Sequence, residues 1–135
     1  MLDEIEQLKK IKTLKNHWVD LQTDIKKTIE KIGFSLCAIL PNGEYEDGNG
    51  YRVYVYSDYV VVKYNNDNNY QTTRDIWKYG FNADKLAEMI ISIDWKNIFS
   101  NAMHKMKEES EAIQEEVDNL EVILDKLEGF KKLLE

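Results

Sequence analysis

The sequence predicts an α+β fold: a long N-terminal helix, a three- to four-stranded antiparallel β-meander, a short helix and a long C-terminal helix. Three observations carry this. Apolar residues recur every three or four positions over 1–32; the period drops to two, in tyrosine- and valine-rich runs, over about 34–74; and the helical period returns from Ile76 onward. With 135 residues, 43% of them apolar and 32% charged, the chain suits one folded domain divided as 1–33, 34–81 and 82–135.

In the first segment Ile5, Leu8, Ile11, Leu14, Trp18, Leu21, Ile25, Ile29 and Ile32 form one stripe, which makes Trp18 an expected core residue. Asp3, with Glu6 three residues on, is a start signal, and Gly33 is the expected left-handed terminator. After it FSLCAIL reads as a strand, and PNGEYEDGNG, with three glycines, as a loop. YRVYVY and YVVVKY read as a hairpin joined at Ser57-Asp58, NNDNN as a further loop and YQTTR as a polar edge strand.

In the third segment Asn82 or Asp84 caps a helix over 82–93, and Asp94 caps or joins the next. Phe99, Met103, Met106, Ser110, Ile113, Val117, Leu120, Leu124 and Leu127 then alternate in steps of four and three, the spacing of a coiled-coil seam. Trp77 and Trp95 flank the 82–93 helix and are expected to pin it, or to anchor a partner if exposed.

The formal net charge of −7 is concentrated at one end: residues 1–32 carry +1, 33–81 carry −2 and 82–135 carry −6. Glu108, Glu109, Glu111, Glu115, Glu116, Asp118 and Glu121 form an acidic run without a lysine, whereas Lys9, Lys10, Lys12 and Lys15 cluster on the first helix. Laid antiparallel so that facing residue numbers sum to about 127, the helices pair Lys9 with Asp118 and Lys12 with Glu115. They would form a coiled-coil-like stalk, closed within one chain or between two. Exposed pairs contribute only ~0.2–1 kcal/mol each, so charge would set register while the stripe supplies stability.

A two- or four-residue hairpin loop pairs residues whose numbers sum to 115. Val55 and Val60, Val53 and Val62, and Tyr51 and Tyr64 then share the core face. Arg52, Tyr54, Tyr56, Tyr59 and Lys63 share the other; a three-residue loop would exchange the faces. This second face opposes two cations, which costs free energy unless an anion or an acidic neighbour intervenes. Either the 82–93 helix or a loop covers the tyrosines while Glu44, Glu46 or Asp47 neutralise the cations, or the face binds: tyrosines stack on a ring or grip a protein, and the cations hold a phosphate or carboxylate.

Other chemistries find little support. His17 and His104 lie in no metal-ligand spacing, the acidic loops lack calcium-site spacing, and Cys37 sits alone in an apolar run. No nucleophile elbow, phosphate-cradling glycine loop or dinucleotide fingerprint occurs, so the chain reads as non-enzymatic, without cofactor or metal. The acidic balance opposes direct nucleic-acid binding, no apolar run is long enough to span a membrane, and a single cysteine fits a cytoplasmic setting.

The expected function is therefore protein binding, through the helical stalk and the sheet surface, by a chain expected to form a homo-oligomer, most simply a dimer. The acidic run is a partner surface suited to a basic groove. In element order the chain is similar to several phage-encoded inhibitors of host-defence nucleases, which implies a protein that blocks a nucleic-acid-handling enzyme. The alternatives are a nucleotide-like ligand on the tyrosine, arginine and lysine face, or a structural coiled-coil assembly part.

Overall fold

The computed structural model describes residues 1–65 and 68–135; Asn66 and Asp67, in the NNDNN loop, lie outside the described residues. The elements run α1 (Leu2–Ile39), β1 (Gly43–Glu46), β2 (Tyr51–Val55), β3 (Val60–Tyr64), β4 (Tyr70–Thr72), a 3-10 turn (Thr73–Asp75), α2 (Ala83–Ser92) and α3 (Trp95–Leu134). The α+β order is the one the periodicity predicts. The chain divides into two units, Met1–Ile98 and Phe99–Glu135.

In the first unit α1 runs seven residues beyond the expected end. Gly33 is buried within the helix rather than terminating it, and FSLCAI forms the last turns instead of a strand. Seven consecutive mostly apolar residues fit a strand or a buried helix equally well by pattern alone. What decides here is the packing stripe Ile29, Gly33, Leu36 and Leu40, all buried at helical spacing. Gly33 lets the backbone of α1 come close to the 3-10 turn: an added Cβ would stand 3.1 Å from the Thr73 side chain. Pro41 then ends the helix, because proline disfavours helical backbone in the residue before it, and Leu40 is extended at φ −96° and ψ 135°.

The sheet is a four-stranded antiparallel meander in the order β1-β2-β3-β4. Its first strand lies inside the expected glycine-rich loop, where Glu44 pairs with Tyr54 and Tyr45 with Val53. The hairpin register is the predicted one, with Val55 opposite Val60, Val53 opposite Val62 and Arg52 opposite Lys63. All four valines are at most 1% exposed, and α1 and α2 pack against the sheet. YQT forms the short edge strand, with Val61 opposite Thr72 and Lys63 opposite Tyr70.

Asn82 caps α2 by accepting from the Lys85 N–H, and Asp94 caps α3 by accepting from the Asn97 N–H. Trp95 donates its indole N–H to the Ile90 carbonyl at 2.8 Å and so holds the end of α2, as expected. Trp77 is fixed to α1 instead: its N–H donates to Glu30 at 2.6 Å and the Lys26 ammonium lies 5.9 Å from its ring centre. Trp18, expected in the core, is 59% exposed, because only the last turns of α1 reach the sheet.

Asp47 supplies a tie that the sequence did not suggest. It is 1% exposed; its Oδ1 accepts from the N–H groups of Asn49 and Tyr51, and its Oδ2 from that of Asp94. Asn97 donates to its carbonyl oxygen at 2.7 Å. One carboxylate therefore binds the β1–β2 loop to the α2–α3 junction, so Asp47 is not available to neutralise Arg52 or Lys63.

The second unit is the remainder of α3. Ile113, Val117, Leu120, Leu124 and Leu127 of its seam are exposed, as are all seven carboxylates of the acidic run. The predicted Lys9–Asp118 and Lys12–Glu115 pairs join residues of different units and stay an expectation.

Candidate functional site

The sheet has one covered face and one open face, and the reason lies in the hairpin. A two-residue turn at Ser57-Asp58, closed by the Tyr56 N–H donating to the Tyr59 carbonyl at 3.0 Å, sends the valines to the helices. The alternate residues Arg52, Tyr54, Tyr56, Tyr59 and Lys63 go to the other side. Among the described residues of the first unit no helix covers them: Tyr56 is 43% exposed and Tyr70, beside Lys63 on β4, 57%.

Within this face Tyr56 and Tyr59 stack, with ring centres 4.6 Å apart and planes 16° from parallel. The Arg74 guanidinium lies over the Tyr59 ring, 4.5 Å from its centre. Tyr54, Tyr56, Tyr59, Lys63, Tyr70 and Arg74 line an open groove of about 300 Å³. Guanidinium stacking fixes Arg74 in place while leaving its N–H groups to face a ligand.

The two opposed cations of the hairpin have different fates. Arg52 is neutralised from β1, with Glu46 3.3 Å from its Nε and Glu44 3.8 Å from its Nη1. It lines a separate hollow with Glu46, Tyr51 and Asn65, not the tyrosine groove. Lys63 has no ion pair among the described residues, and Arg74 has only a 3.9 Å contact with Asp75, whose same oxygen takes Lys78 at 2.7 Å. The groove therefore keeps two cations in a chain of net charge −7.

Of the predicted face residues, Tyr54, Tyr56, Tyr59 and Lys63 come together, and Arg52 does not. Tyr70 and Arg74 complete the groove and were missed; the signal was available, because pairing YQT with β3 sets Tyr70 beside Lys63. Cys37 is half-buried, and its thiol is held above its ordinary pKa first by burial and then by the nearby Asp58 carboxylate. No group of three or more His, Cys, Asp or Glu residues disposed to hold a metal ion occurs among the described residues. Among the described residues, no helix is long and apolar enough to cross a membrane.

No protein-family model, characterised protein or solved structure matches the chain.

Proposed function

We propose that the chain is a non-enzymatic protein-binding module whose open sheet face grips a partner. The observation that carries this reading is the uncovered groove in which Arg74, Tyr59 and Tyr56 stack beside Lys63. Tyrosine and arginine held by stacking lose little freedom on binding, and they are the side chains on which binding energy concentrates. An open, shallow face also suits a protein surface better than an enclosed small molecule.

The acidic run Glu108–Glu121 serves as a second surface. Its seven exposed carboxylates, with no interleaved lysine, match a basic groove of the sort that handles nucleic acid, so an enzyme of that kind is the partner class that fits, with this chain as its inhibitor or adaptor. A nucleotide-like ligand is the second reading, favoured by two cations beside stacked rings.

Affinity capture with the wild type and with Tyr59→Ala/Arg74→Glu tests the first reading. Loss of a specifically captured protein is expected while circular dichroism shows the fold retained; each hot-spot truncation should weaken binding roughly 30-fold, or about 2 kcal/mol. Retained capture would reject the face. For the second reading a nucleotide at 100 times its dissociation constant should stabilise the protein by about 2.7 kcal/mol, and no thermal shift with any nucleotide would reject it.

A further inference from the structure

Residues 1–21 of α1 are exposed on every side, yet they carry a continuous apolar stripe: Ile5 is 42% exposed, Leu8 65%, Ile11 49%, Leu14 67% and Trp18 59%. A helix of this length without tertiary contacts is marginal in water, and an apolar stripe of this extent marks an interface. We infer that residues 1–18 pair antiparallel with the same segment of a second copy, about a two-fold axis between Lys9 and Lys10.

The segment is self-complementary about that axis. Facing numbers sum to 19, so Ile5 meets Leu14, Leu8 meets Ile11 and Met1 meets Trp18, each twice, as a two-fold interface requires. The charges obey the same symmetry. Acidic groups (Asp3, Glu4, Glu6) occupy the first half and Lys10, Lys12 and Lys15 the second, with Lys9 and Lys10 meeting at the axis, so the antiparallel arrangement sets Glu4 against Lys15.

At ~100° per residue Lys9 and Lys10 fall far from the stripe, whereas Glu4 and Lys15 lie on it and face each other. A charge pair inside an apolar seam costs desolvation, so it disfavours every register in which the two do not meet. The acidic run of α3 is the rival occupant. At the sum of 127 it sets Glu116 against Ile11 and Asn119 against Leu8; one residue further on it sets Gln114 against Leu14 and Ser110 against Trp18. The self-pairing leaves no such mismatch.

Sedimentation velocity on the full chain, across a concentration series, should give twice the 15.9 kDa chain mass at the upper end. Ile11→Asp should raise the dissociation constant at least tenfold, and at concentrations where both proteins are monomeric it should leave the unfolding of the sheet core unchanged, since this segment touches no part of that core. In a Cys37→Ser background, mixing a Glu4→Cys chain with a Lys15→Cys chain should give a disulfide-linked pair faster than a Lys12→Cys/Glu115→Cys chain forms its own link. A monomer at every concentration, an oligomer indifferent to Ile11→Asp, or faster closure of the Lys12–Glu115 link each overturns the inference.

Discussion

Replacing Asp47 should destabilise the first unit more than any exposed charge change, and in a graded way. Its carboxylate is almost fully buried and accepts three backbone N–H bonds, at 2.8 Å from Asn49, 3.0 Å from Tyr51 and 3.1 Å from Asp94. Hydrogen bonds to a charged group are worth about 1.5–3 kcal/mol each, but three on one carboxylate are not additive. The Asn49 N–H, in an exposed loop, regains water. Asp47→Ala should therefore cost about 3–4 kcal/mol. Asp47→Asn keeps one oxygen for Asn49 and Tyr51 and turns an NH2 group toward the Asp94 N–H, so it should cost about 1–2 kcal/mol. For a domain of this size 1 kcal/mol moves the melting temperature by about 4–8 °C, which puts the Ala variant about 12–30 °C below the wild type. Urea and thermal unfolding followed by circular dichroism read both values. An Ala variant costing less than ~1 kcal/mol, or an Asn variant as damaged as Ala, would refute the role given to the three N–H bonds.

Two further outcomes follow from the packing of α1. Gly33→Ala gains helix propensity of about 1 kcal/mol, but its methyl would press on a Thr73 side chain whose Oγ1 is already held by the Val60 N–H at 3.0 Å. Overpacking of about 1–3 kcal/mol then wins, and urea unfolding should show a net loss; a gain would mean that Thr73 yields freely. The Cys37 thiol should alkylate slowly near pH 8, because burial first and Asp58 second favour its neutral form. Asp58→Asn should speed alkylation while leaving it slower than for a free thiol, and an unchanged rate would remove the Asp58 contribution. Since folding favours the protonated thiol, this small contribution to stability is present below the unfolded thiol's pKa and is lost as pH rises through the higher folded one.

Much of this was legible where one physical rule acted alone. The dipeptide Ser57-Asp58 between two alternating runs fixes a register, and with it the inward valines and outward tyrosines. Asn82 and Asp94 read as caps because their side chains compete with no other local structure there. The fold was illegible where two rules conflicted. Glycine ends helices more often than it continues them, and Gly33 continues one because α1 needs a close approach to Thr73. GEYE is a strand inside a turn-rich stretch because its glutamates pair with Arg52 and its tyrosine is buried. Asp47 looked like one more loop carboxylate; its partners at Asp94 and Asn97 lie about fifty residues away, a separation that no local pattern encodes. The groove was half legible for the same reason: Tyr54, Tyr56 and Tyr59 are close in sequence, whereas Arg74 arrives from beyond the edge strand.

The proposed function requires the open sheet face to be the surface that meets a protein partner. Hydroxyl-radical footprinting of the tyrosines, with the chain free and in its purified complex, measures this directly. Protection of Tyr56, Tyr59 and Tyr70 on binding, with Tyr79 unchanged as the exposed reference, is the predicted result. Tyrosines of the face that stay as reactive in the complex as in the free chain would contradict it.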